Sequence, residues 1–358
     1  GIHGANSFQV RLPFAKGMLH QVDVLGFIDE FSIKGKGDKQ YLYKDAFGIE
    51  RDLRKAHIFL SESMFKGKDW LEKHCKDHGI EDPMQYYCEM IEKFHHGFYV
   101  SGTNLPYGHS NYTHLSYQTI NTLAFQPDQF ERIIENHGQF IENPIEFLKG
   151  WDEIEKEDVV IEDNENSYYL PNWKRAVLQN PALSGDKYIK EQLENTQKGL
   201  LSKIALGKIL VEGQTRYLCR DLLPLLMDLL RDEVDINKHY LNFLYSRFYM
   251  PMGKDDGKEK IKLEFDKYYA FFRNPHLSRN EQYMMRAFVL PDSKEKYEKA
   301  KYKDGKKSYE KYVKYVKLYD KYFGHLTGIV MVPRGSSLPL CLGGADFDGD
   351  LVSVVFNQ

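Results

Sequence analysis

Near the C-terminus, residues 343–356 read GGADFDGDLVSVVF, which places Asp346, Asp348 and Asp350 at every second position. On an extended strand alternate side chains share a face, so the three carboxylates converge. Two carboxylates about 4 Å apart repel by roughly 4 kcal/mol at an effective dielectric near 20. Three stay ionised together only beside a divalent cation, and an all-oxygen set suits Mg²⁺. Gly349 lets the backbone bend tightly there without a Cβ penalty. The pattern predicts a metal site first and an enzyme second.

Three kinds of protein use such a run. An EF-hand loop needs glycine at its sixth position and a bidentate glutamate at its twelfth. Counted from Asp346, those positions are Leu351 and Asn357, which rules that loop out. A phosphatase of the haloacid dehalogenase type carries D-x-D-G after a first strand near the N-terminus, usually followed by Thr or Ser. Here the run is C-terminal and closes on Asp350. The third is the Mg²⁺ loop of an RNA polymerase.

At 358 residues the chain exceeds one typical core, and 42% hydrophobic with 14% aromatic residues is enough to fill two. The net charge of −3 conceals local asymmetry. Residues 152–165 hold eight acids against Lys156, whereas Lys294 to Lys321 spans eleven lysines and five acids. A nucleic-acid binder of this kind has a basic surface rather than a basic whole. Cys75, Cys88, Cys219 and Cys341 form no C-x-x-C pair, which argues against a zinc knuckle or a disulfide scaffold and for a reducing compartment. No apolar run reaches eighteen residues and no signal peptide is present, so a cytoplasmic protein is expected. An opening Gly1 and an end eight residues after Asp350 read as a piece of something longer.

Along the chain, residues 7–28 read as strand, loop and strand, with a further short strand at Ala56–Leu60. Helical spacing runs from Met64 to Phe94, again over His114–Phe125 and Gln129–Phe147, and residues 101–114 read as a loop. Leu183–Ala205 predicts an amphipathic connecting helix. Strands are then expected at Lys208–Tyr217, Tyr268–Arg273, Met285–Leu290, Gly328–Pro333 and Leu351–Phe356. In 294–323, Tyr309, Tyr312, Val316, Tyr319 and Phe323 fall at helical spacing. That predicts an amphipathic helix with a packed aromatic face; the competing account is a basic arm along a nucleic-acid backbone. The spacing of His95, His96, His109 and His114 suits no zinc motif.

GGADFDGD resembles the metal-binding loop of two-barrel RNA polymerases, most nearly their single-chain branch: the cellular RNA-dependent enzymes of gene silencing and related phage and bacterial polymerases. Four further segments are similar to that family and occur in its order: FQVRLPFAKGML (8–19), SESMFKG (61–67), HLSYQTINTL (114–123) and FFRNPHLSRNE (271–281). The resemblance implies an α+β chain of two double-psi β-barrels with helical insertions. Residues 1–150 would form the first barrel, 151–206 an acidic linker and connecting helix, and 207–358 the second barrel, with the Lys/Tyr-rich insertion at 293–323.

The resemblance also implies a nucleotidyltransferase that binds a nucleic-acid template (RNA or DNA), ribonucleoside triphosphates and nascent RNA, completed by flanking polymerase domains. Asp346, Asp348 and Asp350 would hold Mg²⁺ in a two-metal scheme, with Mn²⁺ as a possible substitute. Lys16 would present a point charge to the nucleotide phosphates. Arg273 would read the ribose 2′-OH, unless it only braces the turn at Pro275. Arg11 would contact phosphate, with a surface ion pair as its alternative. Lys66 and Arg279 lie in matching segments, where plain surface charge competes with nucleotide binding. A Mg²⁺-dependent phosphate-ester hydrolase and a catalytically inactive nucleic-acid-binding barrel stand as the other functions. In the larger polymerases of that family a bridge helix and a trigger loop follow the aspartate loop, and the sequence ends before the point where either would be expected.

Overall fold

The first hairpin pairs β1 (Ser7–Leu12) with β2 (Ala15–His20), in a register that sets Arg11 opposite Lys16. The computed structural model describes residues 5–31, 40–103, 112–123, 126–129, 131–132, 145, 171–230, 246–252, 262–300 and 309–356. The glycine- and lysine-rich 34–39, the acidic 152–165, His109 and most of Gln129–Phe147 lie outside the described residues.

Residues 24–31 are not strand but a helix, α1 (Val24–Phe31). Asp23 accepts a bond from Gly26 N–H at 2.9 Å at its start, and Phe27, Ile28 and Phe31 share one apolar face, a spacing that a strand would split between two sides. Residues 56–60 have no regular structure; the short strands nearby are β3 (Leu42–Lys44) and β4 (Glu50–Asp52), paired with each other. The helical stretch 64–94 is two helices, α2 (Lys68–His78) and α3 (Pro83–Lys93). Gly79 in the left-handed conformation closes the first. Asp82 caps the second through Gln85 N–H, with Pro83 at its first position.

β5 (Tyr99–Thr103) completes a three-stranded sheet in the order β2–β1–β5. Its pairing with β1 slips between Gln9 and Val10, an irregularity of the kind that re-aims side chains. Next come β6 (Tyr112–His114), α4 (Tyr117–Thr122), α5 (Asn172–Gln179) and α6 (Lys187–Ala205).

The second sheet is organised by β7 (Leu210–Arg220), eleven residues long. Its start pairs with β6 and its middle with β11 (Leu351–Val355), both antiparallel; its end pairs in parallel with β10 (Ile329–Val332). β8 (Tyr268–Arg273) and β9 (Gln282–Arg286) extend the order to β10–β7–β11–β8–β9, β9 starting three residues before the expected strand. The remaining helices are α7 (Leu223–Asp228), α8 (Lys294–Lys299), α9 (Tyr309–Phe323) and α10 (Leu338–Cys341). Among the described residues no sheet closes on itself. The elements form a mixed α+β fold of several antiparallel sheets, as the class expected from sequence requires.

Strand β10 is buried on both sides. Ile329 and Met331 join one apolar cluster and Val330 and Val332 another, which accounts for its unbroken run of apolar residues. The first cluster also takes Phe27, Ile28 and Leu53, so the two halves of the chain share a core. Helix α9 supplies Tyr312, Val316, Tyr319, Tyr322 and Phe323 to it, all buried. At about 2 kcal/mol for each such side chain, exposing this face would cost on the order of 10 kcal/mol. The aromatic residues therefore serve the core, and the expected packed helix is the arrangement observed.

Candidate active site

Helix α10 runs into residues 343–350, which turn through three glycines at positive φ before entering β11. Gly349, at φ 133°, is the most constrained: a Cβ there would lie 1.8 Å from Gln9 Nε2. Within the loop, Asp348 N–H donates to Asp346 Oδ1 at 3.2 Å and Asp346 N–H to Asp350 Oδ2 at 2.8 Å. The side chains of Asp346 and Asp348 are also hydrogen-bonded to each other, and this contact, reinforced by burial, pushes the Asp346 carboxyl up from its ordinary range. Burial pushes Asp348 the same way, but its bonds to Asp346 and Lys16 outweigh it and hold the Asp348 carboxylate below its ordinary range.

The first sheet meets this loop through two side chains. Lys16 Nζ forms an ion pair with Asp348 Oδ2. Gln9 Nε2 donates to the Asp348 carbonyl at 2.9 Å, while Ser101 Oγ holds the other end of the same amide at 2.9 Å. With the Lys16 side chain 40% exposed, its pair adds at most about 1 kcal/mol to stability. Its interest is positional.

Arg273, at the end of β8, sits opposite Val352 of β11, which brings its Nε to 3.0 Å from Asp350 Oδ2. This is a charge contact without the alignment of a hydrogen bond. Arg11 is exposed and close enough to Asp348 to contribute to the field on it. Lys66 is exposed, and its backbone N–H donates to Phe14 O at 2.7 Å. Arg279 is exposed in the turn after Pro275, with no ion pair among the described residues. The structure thus gathers Lys16, Arg273 and, more loosely, Arg11 about the aspartates. Lys66 stands beside the hairpin tip, and no hydrogen bond or ion pair joins Arg279 to the loop among the described residues.

Two participants escape a reading by residue type. Gln9 lies inside the FQVR segment, but no local pattern says that its amide faces a loop 339 positions later. Arg220, at the end of β7, stacks on Phe347 at 4.7 Å and shares with Asp346 the lining of a cavity of about 300 Å³. No signal in its neighbourhood marks it.

Among the described residues no group of three His, Cys, Asp or Glu side chains is arranged to hold a metal ion. Here the carboxylates turn to Lys16, Arg273 and backbone N–H groups instead. The donor chemistry nevertheless fits a hard cation: three carboxylates in five residues, two pressed together so that one is driven toward its protonated form. The fit is one of donor type.

No family model matches the chain. Its sequence relationship is to RNA polymerases. Over 275 residues, 76% of the chain, it is 24% identical to the DNA-directed RNA polymerase YonO of Bacillus phage SPbeta, and the match takes in 28% of the phage protein's length. Among solved structures, an RNA-dependent RNA polymerase from Thielavia terrestris superposes over 99% of this chain and 31% of its own, with 12% identity and a TM-score of 0.42. The chain spans less than a third of either relative.

Proposed function

We propose that this chain carries the nucleotidyl-transfer site of a nucleic-acid-templated RNA polymerase, with residues 1–150 and 207–358 as two double-psi barrel units joined by 151–206. The observation that carries the reading is the meeting of Lys16, from the first hairpin, with Asp348 of the C-terminal loop. A basic group and an acidic loop so far apart in sequence come into direct contact, an arrangement that two-sided phosphoryl chemistry needs. The sequence relationship to a protein named as an RNA polymerase points the same way.

Asp346, Asp348 and Asp350 would hold Mg²⁺, and that ion, with a second carried by the nucleoside triphosphate, would supply Lewis acidity toward the transcript 3′-OH and charge neutralisation at the α-phosphate. Lys16 places a compact positive charge on the incoming phosphates, and Arg11 adds to that field. Arg273, anchored by Asp350, offers its remaining guanidinium donors to the ribose 2′-OH. Gln9 fixes the loop backbone, so the reacting groups meet in one geometry. RNA is extended and pyrophosphate released.

The hydrolase reading asks for a parallel sheet and an aspartate at the end of a strand. Here Asp346 follows a helix, and β10 with β7 is the one parallel strand pairing among the described residues. The deciding experiment is Mg²⁺-dependent incorporation of labelled ribonucleotides on DNA and RNA templates. Asp348→Ala is expected to abolish it. Normal extension by that variant defeats the assignment, and phosphate release without polymer favours the hydrolase.

A further inference from the structure

A row of aromatic rings on the outside of the molecule ends beside this site. Phe14, at the tip of the β1–β2 hairpin, is 50% exposed and stacks on Trp70 of α2, with centroids 5.4 Å apart and planes at 23°. Trp70 is 54% exposed and stacks in turn on His74 at 5.0 Å and 13°. His74 stacks on His78 at 4.2 Å and is steadied by Tyr86 Oη, 3.2 Å from its Nε2. Residues 70, 74 and 78 recur every four positions, so one face of α2 carries the row.

The fold holds Phe14 outward against its own preference. Its φ is +61°, a conformation that bulky L-residues rarely adopt. Two contacts enforce it: the Lys66 N–H bond to Phe14 O, and the absence of a side chain at Gly67, where a Cβ would lie 2.6 Å from the Phe14 ring. Strain that keeps a large apolar ring in water is the kind that accompanies a binding surface.

Cations gather at the same end. Lys16 follows Phe14 by two residues, Arg11 pairs across the hairpin from Lys16, and exposed Lys66 makes no ion pair among the described residues. Lys68 pairs with Glu62 and Lys16 with Asp348, so the open positive charge near the hairpin tip is that of Arg11 and Lys66, while the rings continue beyond it. Stacked rings beside a backbone-neutralising group suit unpaired bases, because every base has a π-face.

We propose that Phe14, Trp70 and His74 form a stacking platform for single-stranded RNA, on which unpaired bases extend the row at Phe14 and lead the strand past Lys16 to the aspartate loop. The direction of travel rests on the polymerase reading; the binding itself does not. The test is fluorescence anisotropy with a short fluorescein-labelled single-stranded RNA and the matching duplex, without nucleotides or divalent ions. Phe14→Ala and Trp70→Ala are each expected to weaken single-strand binding about tenfold or more, Trp70→Phe to retain most of it, and duplex binding to stay unchanged. Thermal melts check that the variants fold. Alanine variants that bind like the wild type overturn the platform, as does equal loss of single strand and duplex, which would mean contact through phosphate alone. Failure to bind any oligonucleotide overturns it too and leaves the row as a seat for protein. A chain that binds single strands through these rings yet incorporates no ribonucleotide keeps the platform and loses the polymerase.

Discussion

Gln9 of the first strand donates its side-chain amide to the backbone carbonyl of Asp348 at 2.9 Å, tying the hairpin to the C-terminal loop across 339 positions. The bond passes where Gly349 has no side chain, so the loop's shape and the hairpin's approach depend on each other.

Gly349→Ala is expected to destabilise the fold by about 1–3 kcal/mol, combining strain at φ 133° with a collision against Gln9. The colliding atoms belong to a side chain, so part of this cost should vanish in a Gln9→Ala background while the backbone strain remains. Urea melts of the two single variants and the double close the cycle. Strictly additive effects would mean that the two residues are not in contact.

Arg273→Ala is expected to lower incorporation at limiting ribonucleotide by roughly tenfold, the scale of a lost hydrogen bond to a charged donor. It should also narrow the preference for ribonucleotides over deoxyribonucleotides, because the 2′-OH loses its proposed reader. Competing the two nucleotide types in one reaction measures this. Unchanged discrimination would assign Arg273 to bracing Asp350 alone.

Asp221 is buried, accepts bonds from the Tyr319 hydroxyl at 2.8 Å and from Leu223 N–H at 3.0 Å, and burial pushes its carboxyl up to about 7. The folded state then holds a proton between the unfolded value of 3.8 and about 7 that the unfolded chain releases. The group's contribution is therefore fully present below pH 4 and is lost as pH rises toward 7, by up to about 4 kcal/mol. Asp221→Asn cannot ionise. Its stability should fall less than the wild type's from pH 4 to 7, as thermal melts across that range will show.

Arg216 is buried in the centre of β7, donating to Gln214 Oε1 and to the carbonyls of Pro251 and Thr327. Arg216→Lys retains a charge but not the planar fork that spans these acceptors. A loss of about 3 kcal/mol in denaturant unfolding is expected, on the scale of a broken buried network. Wild-type stability in that variant would show that the fork is dispensable.

Local order governed what could be read in advance. β8 at Tyr268–Arg273 and the aromatic face of α9 were legible because each is a repeat of two or about four residues, set by backbone geometry alone, whereas the aspartates, expected on an extended strand, lie in a turn that precedes β11. Val24–Phe31 misled because its apolar run suits either element until a cap and a partner face decide. Lys16 came into view only through resemblance, Gln9 and Arg220 not at all, and the Phe14–Trp70 stack depends on a backbone angle that no residue preference announces.

By itself, then, the sequence set three carboxylates within five residues, which limits how far apart their charges can lie whatever path the backbone takes. Which cations answer those charges was settled by packing. Lys16 arrives on a hairpin and Arg273 on a neighbouring strand, brought there by a core that joins Phe27 to Tyr322 and Ile329 from opposite ends of the chain. Electrostatic partners act through space, and only the folded core sets those distances.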